Sequence, residues 1–433
     1  MMQSREPVAY VAADGTTVNS EGAHWLVRLL LLMFVLVCIF DPADQVLRGK
    51  VPLFVALWPA TLAGCALTRE EPYLPPSLLI YSLAFITIPL LSIGWYHIID
   101  GRQPFEGFAL FKAYLFISFA IILVLNKIDL IPQLSAVLTL LALSVIAVFL
   151  FLQFSPEEFE RLHELGINTG VLSLDRRKYG ENLELVQVYF VTSAMLVVSI
   201  AYYFDRVMSA AGYIRKLAYL VLLGVNITGM LLAGTRNNIL VSLLLPFTLW
   251  PLYTARVARN ALLSLLVLVL LALPFADRLQ AFFDAEESSN SIKLTLLRDY
   301  ISLLSDPVTL LFGQGLGAYH EWSAGQVNFY ITELTYLEML RSFGIFGAAA
   351  MVALLLFPAW YSFAAPLSRR ARALAVAYLF YLLMAVSNPL LFSSSGMLIL
   401  SAILANVYLN RSRFEATASG ERRLGVKARR QDT

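Results

Sequence analysis

The chain has 433 residues, of which 59% are hydrophobic and only 14% charged, and its formal net charge is +2. A soluble domain carries roughly 25% charged residues, and the mean hydropathy here is +0.71. These values exclude a soluble enzyme; the net charge says little by itself, and no nucleic-acid partner is expected. The apolar residues fall in runs of about 15 to 22, the length that crosses a bilayer as a helix. The short alternating segments of a membrane β-barrel are missing. The expected fold is an all-α polytopic membrane protein.

Residues 1–24 are mixed polar, with Arg5, Glu6, Asp14 and Glu21, and show no cleavage site ahead of the first apolar run. They read as a cytoplasmic tail. About twelve spans follow, at 25–40, 51–67, 77–98, 108–125, 134–153, 186–204, 217–233, 239–253, 261–276, 335–361, 373–388 and 395–410. Residues 25–410 form a single transmembrane domain on this reading, and 411–433 form a basic tail. Cys38 and Cys65 fall inside spans near opposite faces and read as packing residues.

Sidedness follows from the basic residues. Arg206, Arg215, Lys216, Arg256, Arg259, Arg369, Arg370, Arg372 and the arginines of the C-terminal tail share one side of a twelve-span chain. That side is cytoplasmic by the positive-inside rule, so both termini are expected inside. Arg48, Lys50 and Arg102 fall on the outer side. Two long connections also face outward, about 154–185 and 277–334, together with a tight turn at 234–238. Long structured loops away from the cytoplasm place the chemistry there. Within the second loop, 291–305 has an apolar face (Ile292, Leu296, Tyr300, Leu303, Leu304) and reads as an amphipathic helix carrying Arg298.

The polar residues of interest gather at that outer side. The turn Gly234-Thr235-Arg236-Asn237-Asn238 holds a guanidinium whose planar fork suits phosphate, or anchors a helix end. Arg176 and Arg177, followed by Lys178, form a basic run that is either a solvated face or a steering patch for pyrophosphate. Gly313-Gln314-Gly315-Leu316-Gly317 lacks the strand and helix context of a dinucleotide loop. Its glycines permit a tight turn or a close approach to a ligand. His320 is the histidine nearest these motifs, and His24, His97 and His163 are scattered without metal-ligand spacing. No metal and no cofactor are expected.

Glu333 opens the tenth span, where a carboxylate either complements the helix dipole or serves as a base. Glu338 and Arg341 are three residues apart and can pair on one helix face. Arg341 lies about 12 Å deeper than Glu333 along the axis at roughly 1.5 Å per residue. No internal repeat is visible, which weakens a transporter reading.

Taken together, these motifs resemble the O-antigen polymerase and ligase superfamily, most closely over residues 234–347. Glu333-Leu334, nine residues, then Gly344-Ile345-Phe346-Gly347 matches the register of a ligase motif that begins with histidine. Tyr336-Leu337-Glu338 is similar to the turn after that histidine, and Gly234-Thr235-Arg236 to a turn of the superfamily. Glutamate in place of histidine favours a polymerase of the Wzy type. The resemblance implies a GT-C-like, metal-independent glycosyltransferase in the bacterial inner membrane with its active site facing the periplasm. Its donor and acceptor would be glycans on undecaprenyl pyrophosphate, transferred en bloc among membrane lipids, with a chain-length regulator and a flippase as partners. Glu333 would be the base. Arg236 and Arg298, then Arg341, would meet the pyrophosphate, and Arg176, Arg177, His320, Gly315 and Tyr336 would contact substrate. The alternatives are an O-antigen ligase acting on lipid A-core and, from another class, a twelve-span transporter or lipid flippase.

Overall fold

The computed structural model describes residues 20–68, 74–101, 105–178, 184–254, 259–260, 262–263, 288–323, 332–365, 367–389 and 391–411. Its helices in chain order are α1 (Ser20–Phe40), α2 (Lys50–Thr68), α3 (Pro76–Asp100), α4 (Phe105–Leu115), α5 (Phe119–Leu125), α6 (Ile131–Phe154) and α7 (Phe159–Thr169). A hairpin of β1 (Leu172–Lys178) and β2 (Glu184–Phe190) follows, then α8 (Leu196–Ser209), α9 (Tyr213–Leu232) and α10 (Arg236–Leu249). After these come α11 (Ser288–Leu303), α12 (Pro307–Phe312), α13 (Thr335–Ala364), α14 (Arg369–Met384) and α15 (394–411).

Among the described residues, six helical segments are long and apolar enough to cross a membrane: Lys50–Leu67, Pro76–Ile99, Phe105–Leu125, Ile131–Phe154, Tyr213–Leu232 and Thr335–Ala364. The protein is a helical, membrane-embedded bundle. The expected spans 239–253 and 373–388 coincide with the shorter helices α10 and α14, and the expected span 261–276 lies outside the described residues.

The sixth expected span, 186–204, is corrected. Its first residues form β2, which pairs antiparallel with β1 from Leu172↔Phe190 to Lys178↔Glu184, and the helix starts only at Leu196. The segment Val186-Gln187-Val188-Tyr189-Phe190 is rich in β-branched and aromatic residues, which fit a pleated, half-buried surface. Its apolar content made it look like the start of a membrane helix. The first long outer loop therefore carries a helix, α7, and one strand of a hairpin whose second strand lies where a span was expected.

The α8 helix is the centre of the bundle, with residues 196–205 all buried. It packs on α6, α9, α10 and α14. Polar side chains lock this contact. Asn226 donates to Thr139 Oγ1 at 3.0 Å and accepts from Ser199 Oγ at 2.6 Å, and Thr139 donates to the Tyr203 hydroxyl at 3.2 Å. With no solvent to compete, such bonds fix which helices meet and in what register.

The tenth expected span, 335–361, falls on α13, which is kinked within its length. Gly344 has φ 65° and ψ 179°, so the helix breaks there and resumes beyond it. Backbone freed at membrane depth must be satisfied by protein. The glycine loop before α13 supplies part of this. Gln314 N donates to Arg341 O at 2.7 Å, and Ser92 Oγ of α3 donates to Ser342 O at 2.6 Å while accepting from Leu316 N at 2.9 Å. Trp95 Nε1 donates to Gly313 O at 3.1 Å.

Candidate functional site

The Gly234 turn is built by local chemistry. Gly234 has φ +71°, and a Cβ there would lie 2.5 Å from Gln187 Cγ of β2, so glycine is required. Thr235 caps α10 by accepting from Asn238 N at 3.2 Å. Asn238 donates from its side-chain amide to Ser193 Oγ at 3.0 Å, which docks the turn beside the end of the hairpin. Arg236 then projects from the first turn of α10, and its Nη1 donates to Asn290 Oδ1 at 3.0 Å.

Asn290 belongs to α11, the expected amphipathic helix. Three residues on, Lys293 Nζ lies 3.9 Å from Glu333 Oε2. Positions three apart share a helix face, so one side of α11 links Arg236 to Glu333. The β2 strand closes this group from the other direction. Gln187 abuts Gly234, and Tyr189, on the same strand face, is pushed up to about 12 by burial and by the charge of Glu333. Arg236, Asn290, Lys293, Glu333, Gln187 and Tyr189 thus form one cluster from four segments. The Glu333 carboxylate is 45% exposed and Lys293 is 30% exposed, so both are open to a ligand.

A second cluster lies deeper on α13. Glu338 is 7% exposed and Arg341 is 0% exposed. Arg341 Nη2 donates to Glu338 Oε1 at 2.5 Å, and Nε reaches both oxygens at 3.1 and 3.2 Å. Tyr300 of α11 donates to Glu338 Oε2 at 2.7 Å, and Ser342 Oγ donates to Oε1 at 3.1 Å. Arg341 Nη1 bonds to Ala318 O at 3.0 Å and to Gln314 Oε1 at 3.2 Å. The expected i,i+3 pair is therefore formed, and it is enclosed. A phosphate could reach Arg341 only if this assembly opened. A cavity of about 20 Å³ beside Glu338 and Ser342, walled by Tyr114 and Phe392, has room for one water molecule.

The other sequence candidates fall elsewhere. Arg298 is exposed on α11, two residues from Tyr300 and so turned away from the buried Leu296 and Tyr300. Arg176 lies over the Phe159 ring at 4.3 Å and reaches Pro156 O at 3.5 Å, contacts made with the start of α7. Arg177 pairs with Leu185 in the hairpin, and its side chain lies outside the described residues. Gly315 has φ +96° and packs on α3, where a Cβ would meet Tyr96 Cβ at 2.4 Å. Its close approach is to protein. Tyr336 donates its hydroxyl to Leu382 O at 2.9 Å. His320 stands edge-on to Trp322, with ring centroids 4.6 Å apart. Its pKa is lowered by burial and then by Arg341.

No protein-family model matches the chain, and no curated protein sequence matches it significantly.

Gln187, Tyr189, Asn290, Lys293, Tyr300 and Trp322 were not singled out in sequence. Tyr300 was visible only as part of an apolar face. Gln187 and Tyr189 carried a usable signal, their i,i+2 spacing in a β-branched stretch.

Proposed function

We propose that the chain is a polysaccharide polymerase. It joins undecaprenyl-pyrophosphate-linked repeat units by en bloc glycosyl transfer at the periplasmic face of the bacterial inner membrane. The reading includes a GT-C-like fold of about twelve spans with both termini cytoplasmic. It is carried by one observation: an exposed carboxylate, Glu333, and a phosphate-type guanidinium, Arg236, are held to one face of α11 by Lys293 and Asn290.

The chemistry assigned to them is simple. The acceptor hydroxyl oxygen attacks the anomeric carbon of the donor and loses its proton to Glu333. The bond from that carbon to the pyrophosphate oxygen breaks, and the pyrophosphate leaves with the electron pair. Arg236 and Lys293 stabilise the charge gathering on it. Tyr189 and Gln187 line the same group and are placed to position sugar hydroxyls.

Purified protein in lipid, supplied with a short undecaprenyl-pyrophosphate-linked repeat unit, should yield a ladder of longer lipid-linked glycans by mass. Transfer only after lipid A-core is added would make it a ligase.

A second reading, a transporter, is favoured by the break at Gly344 beside a buried ion pair. Broken helices and intramembrane charges mark transport sites. Here the break is filled by loop backbone and the pair is closed by Tyr300 and Ser342, which supports a fixed scaffold. Substrate flux into liposomes without a ladder would reverse that order.

A further inference from the structure

The end of the bundle opposite Arg236 and Glu333 carries another polar assembly. Arg236 begins α10 and Tyr253 follows its far end. Thr335 and Tyr336 bond to Asn388 O and Leu382 O near the C-terminal end of α14, whereas Arg369 and Arg370 open its first turn. Helices of this length extend roughly 20–25 Å, so most of a bilayer core separates the two groups.

At this second end, Asp205 accepts from the Tyr253 hydroxyl at 2.8 Å. Asp129 accepts from the Asn406 amide at 3.3 Å and lies 3.1 Å from Arg370 Nη2. Arg206 and Arg370 share one aromatic ring, with Cζ atoms 5.1 and 5.0 Å from the Tyr202 centroid. Arg369 acts electrostatically on the same Tyr253 hydroxyl.

Arg206 is engaged by Tyr202 and Arg370 by Asp129, but not every donor of the two guanidinium groups is matched. Nε of Arg206, and both Nε and Nη2 of Arg370, are buried donors with no hydrogen-bond partner among the described residues. The Arg370–Asp129 approach is close enough for ion pairing, yet its geometry makes no hydrogen bond. A buried charged donor left unpaired is costly, and native proteins supply it with protein, water or an ion. The two carboxylates nearby are shared, Asp205 with Tyr253 and Asp129 with Asn406 as well as Arg370. Two guanidinium forks stacked on one ring, with a third cation beside them, match the oxygens of a phosphate.

We propose that Arg206, Arg369 and Arg370 bind the phosphate of an anionic phospholipid headgroup. Surrounding residues favour a lipid over a soluble phosphate. At the same end, Trp250 beside Tyr253 is 52% exposed, and Tyr213, which opens the helix after α8, is 79% exposed. Aromatic residues in such positions lie at headgroup level. Basic residues grouped between helices at that level attract an anionic headgroup, whose acyl chains would lie along the bundle.

The test is lipid retention on the full-length protein in detergent, read by native mass spectrometry and thermal shift. Phosphatidylglycerol, phosphatidylcholine and inorganic phosphate are the probes. Wild-type protein should retain phosphatidylglycerol over phosphatidylcholine by about ten-fold or more, and Arg206→Gln/Arg370→Gln should lose that preference. Arg215→Gln, an exposed basic residue at the same end, should keep it. Equal retention of the two lipids by the wild type would overturn the proposal without recourse to any variant. So would unchanged preference in the double variant. Stabilisation by inorganic phosphate that matches the lipid would overturn the lipid as occupant and leave a soluble phosphate compound in its place.

Discussion

Gly313 and Gly344 lie backbone against backbone: a Cβ on Gly313 would sit 2.6 Å from the Gly344 nitrogen. Seen from the other side, a Cβ on Gly344 would sit 2.3 Å from Leu311 O. Both residues have positive φ, +79° and +65°. Gly344→Ala therefore meets a backbone wall as well as left-handed strain. It should cost ~1–3 kcal/mol from overpacking alone, seen as a lower melting temperature in detergent. A melting point equal to wild type would show that the break relaxes freely.

Glu333→Gln should keep donor binding and cut turnover by roughly 100-fold or more, the usual contribution of a general base. Chain growth in the lipid-reconstituted assay separates the two quantities. Near-normal ladders from this variant would remove Glu333 from the mechanism.

Arg236→Lys keeps the charge and loses the planar fork. Activity should fall even so, because one arm of the fork is already set by Asn290. Asn290→Ala should give a smaller loss in the same direction. Full activity in Arg236→Lys would mark an anchoring role only.

Breaking the buried pair is a different matter. Glu338→Gln leaves Arg341 charged and enclosed, which should cost about 3–5 kcal/mol. Replacing both members with apolar residues of similar volume should recover much of that loss. Thermal melts of the single and double variants decide this, and a single variant as stable as wild type would contradict it.

His320 gives a pH dependence of known sign. Its pKa is lowered by burial and then by Arg341. The folded protein therefore binds this proton less readily than the unfolded chain does. Above the ordinary histidine value near 6.5 both states are neutral and the group contributes no slope. As pH falls through that value toward the lowered folded one, stability is lost. Melting temperatures at pH 7.5 and 5.5 should differ more in wild type than in His320→Gln.

Some of this was legible in sequence. Apolar run length located the six long apolar helices found among the described residues, because crossing a bilayer sets a minimum of consecutive apolar residues. The Glu338–Arg341 spacing predicted the pair, since i,i+3 is a local rule. The Gly234 turn and the helix over Ser291–Ser305 were likewise local. What failed was non-local. Val186–Phe190 is apolar enough for a span, and only pairing with β1 makes it a strand. Gly315 was open to a ligand reading because its real neighbour, Tyr96, is far away in the chain. The link from Arg236 to Glu333 runs through Asn290 and Lys293, whose partners no periodicity reveals.

The Ser92 hydroxyl has a bearing on how the molecule is made. It meets Leu316 N and Ser342 O, partners synthesised 224 and 250 residues later. In a chain made from its N-terminus, α3 is complete before either of these partners exists. Shortened chains that end before Leu316 would contain neither partner. The last third of the polypeptide thus completes a contact surface laid down by the first.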